Sequence, residues 1–177
     1  MAEMIFAGFG GQGVMSMGMM VAYAGMIEEK NVSWIPSYGP EMRGGTANCA
    51  VVVTADEIGS PIITEPDVVV AMNLPSMTKF EPMLKPGGML IYNSSLIERE
   101  EGRDDITVIG VPANQLATEL GNSRVANMVV MGTLLAKTEV VGTESIKKAL
   151  RQVLPPHRHD LLGVNEDAIQ RGAEFSR

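Results

Sequence analysis

The feature that most constrains the fold of this chain is a glycine-rich turn between an apolar run and a long uncharged segment. The run Met4–Ala7 leads into Gly8-Phe9-Gly10-Gly11-Gln12-Gly13, and no charged residue follows until Glu28. Glycines permit a tight turn and close approach of a ligand, and the free N–H groups at the start of a helix attract an anion. The pattern predicts a strand, a turn and a helix, with Gly10, Gly11, Gln12 and Gly13 as candidates for binding a phosphate. The alternative is that the glycines only let the helix pack closely on the sheet.

Two common phosphate-binding motifs do not fit this turn. A dinucleotide fingerprint requires an acidic residue about 20 positions further on, to bind the ribose. Here the second predicted strand ends near Val32-Ser33-Trp34-Ile35-Pro36, which contains no carboxylate. A Walker motif requires Lys-Ser or Lys-Thr after the glycines, and neither is present. The sequence therefore disfavours a nicotinamide or flavin dinucleotide, and a nucleoside triphosphate, as the ligand.

Composition narrows the class of protein. A chain of 177 residues with 45% hydrophobic and 20% charged residues predicts one globular domain over residues 1–177. The formal net charge of −7 argues against nucleic acid or an anionic membrane as a partner. The uncharged segment is interrupted by Gly18 and Gly25 and is short for a membrane span, and no basic region precedes it, so we expect a cytoplasmic protein.

No catalytic or metal-binding residue is predicted. A lone cysteine, Cys49, cannot form an internal disulfide or hold an iron–sulfur cluster by itself, and we interpret it as inert packing. His157 and His159 follow two prolines near the C-terminus and are interpreted as solvated linker residues. No nucleophile with a neighbouring base can be named.

Strands alternate with helices along the chain, which indicates an α/β fold: a single-domain three-layer sandwich with a mostly parallel, Rossmann-like doubly wound sheet. Pro36 is expected to end the second strand, and a helical tail is expected over about 143–177. The predicted strands are Glu3–Gly8, Asn31–Ile35, Thr46–Thr54, Val68–Ala71, Met89–Tyr92 and Ile106–Val111. The predicted helices are Gln12–Glu29, Pro75–Leu84, Pro112–Leu120, Arg124–Lys137, Thr143–Val153 and Asn165–Phe175.

Several polar or glycine-rich segments follow predicted strands, at the edge of the sheet where α/β proteins bind ligands. They are Gly8–Gly13, Ser37–Gly45, Asn73 and Asn93–Ser95. In the second of these segments, Arg43 is the best candidate for binding an anion, because its guanidinium can form two hydrogen bonds to a phosphate or carboxylate. Two roles remain open for Glu41: it orients the Arg43 guanidinium for the ligand, or it pairs with Arg43 as a purely structural contact. The candidate ligand-binding residues here are Ser37, Tyr38, Gly39, Glu41, Arg43, Gly44, Gly45 and Asn48.

Three motifs occur in an order that resembles a known family. They are Gly10-Gly11-Gln12-Gly13-Val14, the run from Pro36 to Asn48, and Glu119-Leu120-Gly121-Asn122 followed by Arg124-Val125-Ala126-Asn127-Met128. Together they resemble the gamma subunit of 2-oxoacid:ferredoxin oxidoreductases over essentially the whole chain.

The resemblance implies a subunit of an enzyme that oxidatively decarboxylates a 2-oxo acid, joins the acyl group to coenzyme A and reduces ferredoxin. It implies that thiamine diphosphate and the iron–sulfur clusters lie on partner subunits, that this chain is inactive alone, and that coenzyme A is its ligand. It also favours 2-oxoglutarate or a branched-chain 2-oxo acid as the substrate over pyruvate, because the sequence from Glu41 to Asn48 differs from the one usual in pyruvate enzymes.

Two other functions remain open at this level: a free-standing nucleotide-binding oxidoreductase and a non-catalytic α/β scaffold. The Met-rich first helix and the uncharged segment Val125–Ala136 offer more apolar surface than one sheet face needs. We therefore expect the isolated chain to self-associate, for example as a homodimer, or to expose an apolar patch.

Overall fold

The computed structural model describes residues 1–37, 46–100 and 102–176, and its strands form one six-stranded sheet. The strands are β1 (Ala2–Phe9), β2 (Asn31–Ser37), β3 (Thr46–Thr54), β4 (Val68–Ala71), β5 (Met89–Asn93) and β6 (Thr107–Val111). The α-helices are α1 (Val14–Ile27), α2 (Leu74–Phe80), α3 (Ala113–Glu119), α4 (Ala126–Lys137), α5 (Thr143–Val153) and α6 (Leu162–Phe175). Short 3₁₀ helices cover Glu81–Met83, Ser123–Val125 and Pro156–Leu161.

The sheet has the strand order β2-β3-β1-β4-β5-β6. Strands β1, β4, β5 and β6 pair in parallel, whereas β3 runs antiparallel to both of its neighbours. Strand β2 therefore shares the direction of the parallel strands. The predicted α/β fold with a mostly parallel sheet is confirmed, and the carboxyl ends of five strands lie at one edge.

Both faces of the sheet are covered, but unequally. Alternate side chains of β1 point to opposite faces. Phe6 therefore belongs to the core that contains side chains of α1 and α3–α6, and Ile5 belongs to the core that contains side chains of α2 and neighbouring loops. The first face carries the larger core, which includes side chains of the predicted C-terminal helical tail such as Ile146 and Ala168. Strands buried on both sides explain the continuous apolar runs of β1 and β4.

The glycines of α4 and α6 allow these two helices to approach closely. A Cβ atom at Gly132 would lie 1.9 Å from the Ile169 carbonyl oxygen, and one at Gly172 would lie 1.8 Å from that of Val129. The Thr133 hydroxyl donates a hydrogen bond of 3.0 Å to the Gly172 carbonyl across the contact. The C-terminal helix is thereby fixed against α4, the helix that faces the glycine turn.

Some predicted boundaries were wrong. Strand β2 does not stop at Pro36 but continues to Ser37, with Pro36 opposite Cys49. Because β2 lies at the edge of the sheet, a residue without an N–H group is tolerated there. Helix α1 begins at Val14 rather than Gln12, because Gly13 has a left-handed backbone with φ of 75°. In the described part of the chain, the α-helices are all too short or too polar to cross a bilayer.

Candidate functional site

The glycine turn joins β1 to α1 at the carboxyl end of the sheet. Gly11 and Gly13 have φ angles of 91° and 75°, a conformation that costs side-chain-bearing residues about 1–2 kcal/mol. The Gln12 N–H closes the turn by donating to the Phe9 carbonyl at 3.1 Å, and Gly13 directly precedes α1. The predicted strand, turn and helix are confirmed, and the first turn of α1 contains no acidic residue that would repel an anion.

The side chain of Gln12 fastens this turn to the end of β4. Its Oε1 accepts a hydrogen bond of 2.7 Å from the Phe9 N–H, and its Nε2 donates one of 3.0 Å to the Met72 carbonyl. The Asn73 side-chain amide also lies 3.5 Å from Oε1. Gln12 therefore positions the turn, and its contact with a ligand stays a prediction.

Asparagine side chains lie at the turn and near the ends of the neighbouring strands β4 and β5. Asn127 of α4 reaches it, because its Nδ2 lies 3.5 Å from the Gly13 carbonyl oxygen and 2.2 Å from where a Cβ of residue 13 would stand. At the end of β5, the buried Asn93 donates a hydrogen bond of 2.7 Å to Asn114 Oδ1. Asn73 accepts a hydrogen bond of 2.8 Å from the Ser76 N–H and so caps α2. Side-chain amides thus lie near the carboxyl ends of neighbouring strands, and each forms a hydrogen bond within the protein.

A cavity of about 460 Å³ lies over the turn, which we call the inner cleft. Two arginines line it, and its described lining contains no acidic side chain. The lining residues are Gly11, Gln12, Met72, Asn93, Leu96, Asn114, Ser123, Arg124, Ala126, Asn127 and Arg158. Within a chain of formal charge −7, this lining is a local reversal of sign.

Sequence reasoning did not assign Arg124, Asn127, Arg158 or Asn114 to a site. Arg124 and Asn127 could have been found, because they follow the Gly121-Asn122 helix stop. Arg124 lies in the 3₁₀ helix that leads into α4, and Asn127 lies in the first turn of α4. Arg158 gave no such signal. It enters the inner cleft only because the C-terminal segment folds back beside α4.

The predicted loop residues divide into two groups. Tyr38, Gly39, Glu41, Arg43, Gly44 and Gly45 lie outside the described residues, so their roles stay predictions. Ser37 pairs with Asn48, and Asn48 pairs with Ala7 of β1. Phe9 pairs with Thr46, so the described residue that follows the segment 38–45 lies next to the strand end that leads into the glycine turn. A smaller cavity there, of about 390 Å³, is lined by turn residues together with Ala47.

Cys49 is fully buried, with its Sγ 3.5 Å from the Val14 carbonyl oxygen. Burial raises the pKa of this thiol to about 12, against smaller lowering contributions from Trp34 and Gly18, so the reactive thiolate is not formed at neutral pH. His157 and His159 are exposed. Among the described ranges, no group of three or more His, Cys, Asp or Glu side chains is arranged to hold a metal ion.

Residues 3–175 match the model of the pyruvate ferredoxin/flavodoxin oxidoreductase family. The chain belongs to this family. It is 38% identical over 173 residues to the ketoisovalerate oxidoreductase subunit VorA of Methanothermobacter marburgensis, covering 97% of this chain and 36% of VorA. It is 34% identical over 180 residues to the 2-oxoglutarate synthase subunit KorC of the same organism, covering 98% of this chain and 95% of KorC. The family resemblance predicted from three motifs is confirmed.

Solved structures share the fold. The gamma subunit of a keto/oxoacid ferredoxin oxidoreductase from Geobacter sulfurreducens is 28% identical and superposes with a TM-score of 0.86, covering 99% of this chain and 98% of that subunit. A 2-oxoglutarate:ferredoxin oxidoreductase from Magnetococcus marinus has the same fold, with a TM-score of 0.90 at 23% identity over 31% of its chain. The present chain spans about a third of the length of the VorA relatives, so it matches one part of those larger proteins.

Proposed function

We propose that this chain is the gamma component of a 2-oxoacid:ferredoxin oxidoreductase and forms the coenzyme A side of its active site. The observation that carries the proposal is the inner cleft, which combines the glycine turn with Arg124 and Arg158 and has no acidic side chain in its described lining. Backbone N–H groups at a helix start and arginine side chains are the donors that proteins use for phosphates. Coenzyme A presents phosphates and a thiol that must reach an acyl group.

In this proposal the chain binds and orients coenzyme A and does not itself move electrons. The glycine turn offers backbone donors, Gln12 holds that turn to β4, and Asn127 limits the space beside Gly13. Thiamine diphosphate and iron–sulfur clusters on partner subunits supply decarboxylation and electron transfer. The isolated chain is therefore expected to fold and to show no oxidoreductase activity.

The proposed substrate is 2-oxoglutarate or a branched-chain 2-oxo acid. Relatives named as ketoisovalerate oxidoreductase and 2-oxoglutarate synthase subunits, at 38% and 34% identity, support this preference. A subunit named as common to pyruvate and ketoisovalerate oxidoreductases is 30% identical. Rates of the assembled enzyme with 2-oxoglutarate, 2-oxoisovalerate and pyruvate test the preference, and a fastest reaction with pyruvate contradicts it.

Replacing Arg43 with Ala in the assembled enzyme tests the function. Losing one charged hydrogen-bonded contact should cost about 1.5–3 kcal/mol and raise the KM for coenzyme A roughly ten- to a hundred-fold, with less effect on the 2-oxo acid. Arg43→Lys should recover only part, because an ammonium keeps the charge without the two-pronged geometry.

The structural alternative, an Arg43 that only pairs with Glu41, makes a different prediction. Glu41→Ala and Arg43→Ala would then do equal damage through lower melting temperatures or poorer assembly. An Arg43→Ala enzyme with normal stability and an unchanged coenzyme A constant would contradict a direct role. Activity of the purified chain alone, or tight binding of a nicotinamide or flavin, would instead favour a free-standing oxidoreductase.

A further inference from the structure

A second cavity adjoins the inner cleft, and the same two arginines line both. This outer cavity, of about 520 Å³, lies between α1, α4, α5 and the segment that contains Pro156–Leu161. It shares Arg124, Asn127 and Arg158 with the inner cleft. The three shared residues therefore stand at the junction between the two cavities.

Both arginines at this junction differ from the other described arginines in lacking an acidic partner. Among the described residues, no carboxylate oxygen lies within 4.0 Å of the Arg124 or Arg158 guanidinium. Two arginines that share a cavity wall repel each other, and a bound dianion removes that repulsion. By contrast, Arg99, Arg103, Arg151 and Arg171 all form ion pairs.

Beside the two arginines, the lining of the outer cavity combines apolar side chains with side-chain amides. Met20, Met128, Leu150 and Leu154 line it, together with the asparagines Asn122 and Asn165. Such a surface suits an uncharged ring system that carries hydrogen-bonding edges, rather than a second charged group. The two cavities thus fit a ligand that places a ring in the outer cavity and a further anionic group in the inner cleft, with the arginines between them.

We propose that Arg124 and Arg158 hold the 3′-phosphate of coenzyme A, with the adenine in the outer cavity and the diphosphate over the glycine turn. This inference rests on the proposed function. In coenzyme A one ribose separates the 3′-phosphate from the diphosphate and joins both to adenine, which matches the order ring, arginine pair, glycine turn. The arginine pair then determines specificity: it selects the phosphorylated nucleotide over dephospho-coenzyme A.

The test uses the assembled complex with Arg124→Gln, Arg158→Gln and the double variant. Both arginines are exposed, so the variants should fold. Each single change should raise the KM for coenzyme A about ten-fold or more and leave the KM for dephospho-coenzyme A nearly unchanged. Calorimetry with adenosine 3′,5′-bisphosphate and adenosine 5′-monophosphate gives the same comparison without turnover. The matched control is Arg171→Gln, which removes an arginine paired with Glu119 at 3.3 Å that lines neither cavity.

The outcomes separate this inference from the proposed function. One outcome overturns only the role of the arginines. In it, the arginine variants weaken the binding of coenzyme A and of dephospho-coenzyme A equally, or weaken neither, while Gly13→Ala still raises the KM for coenzyme A. Constants that stay unchanged in the arginine variants and in Gly13→Ala overturn both. A wild-type complex that does not distinguish coenzyme A from dephospho-coenzyme A also overturns the inference.

Discussion

The two ends of the sheet carry their charges differently. At the amino end, the Lys85 ammonium lies 2.7 Å from the Glu3 carboxylate and 3.1 Å from that of Asp67. At the carboxyl end, Arg124 and Arg158 line a cleft whose described lining contains no acidic residue. The first arrangement ties the starts of β1, β4 and β5 together. It is complete without a ligand, and the glutamate partner raises the pKa of Lys85. The second leaves charge uncompensated at the edge where parallel sheets bind ligands. Charges at the amino end should therefore affect stability, and those at the carboxyl end should affect binding.

The largest expected effect is that of Gly13→Ala, at the carboxyl end. The alanine would keep a left-handed backbone and would push its Cβ into Asn127, so we expect a loss of about 2–4 kcal/mol in the free energy of unfolding and a raised coenzyme A constant. Urea unfolding of the chain and the KM of the assembled enzyme measure the two effects.

Gly11→Ala is the matched control. Gly11 is also left-handed, but a Cβ there meets nothing within 4 Å, so only the backbone cost of about 1–2 kcal/mol applies. Equal losses in the two variants would mean that contact with Asn127 contributes nothing.

Gln12→Ala should have the next largest effect. It leaves the Phe9 N–H and the Met72 carbonyl without their partner, which predicts a loss of about 1–2 kcal/mol together with a weaker coenzyme A interaction as the turn loosens. Gln115→Ala, on the exposed face of α3, should stay within about 0.5 kcal/mol. A stable Gln12→Ala variant with normal kinetics would show that β4 does not position the turn.

The local parts of this site could be predicted from the sequence, and the non-local parts could not. Gly11 and Gly13 predict the turn, because the freedom to adopt a left-handed backbone belongs to glycine itself and does not depend on distant parts of the chain. The antiparallel direction of β3 has no such signal, since it depends on which strands pair. Pro36 was misread for the same reason: its effect depends on whether its strand lies at an edge. Arg158 joins the cleft only through the packing of α6 on α4, some thirty residues from the motif that contains Arg124.

At the amino end, Lys85→Met should lower stability by about 1 kcal/mol without changing the coenzyme A constant. The side chain is 35% exposed, so solvent screens its two ion pairs. Because folding raises the pKa of Lys85, the contribution is fully present below the ordinary value of 10.5 and is lost as pH rises through the raised one. Lys147→Met, which removes a pair with the exposed Glu144, should cost less. A changed coenzyme A constant in Lys85→Met would break the division between the two ends.

The smallest expected effect concerns Glu28, which follows α1 and lies close to the start of β2. Its carboxylate accepts hydrogen bonds from the Gly142 N–H at 2.7 Å and from Lys30 at 2.8 Å, and so joins the end of α1 to the start of α5. Burial raises the pKa of this carboxyl, but the bonds from Lys30, Gly142 and Ser145 together outweigh burial, so the net pKa is lowered.

A lowered pKa means that Glu28 stabilises the fold above its ordinary value of 4.5, and that this stabilisation is lost as pH falls through the folded value. Glu28→Gln should therefore cost roughly 0.5–1 kcal/mol at pH 7 and little at a pH where wild-type Glu28 is protonated. Urea unfolding at both pH values measures the difference, and Glu29→Gln, at an exposed neighbouring position, is the control. The same loss at both pH values would show that Glu28 acts through its shape rather than its charge, and the amino end would then be held by packing more than by paired charge.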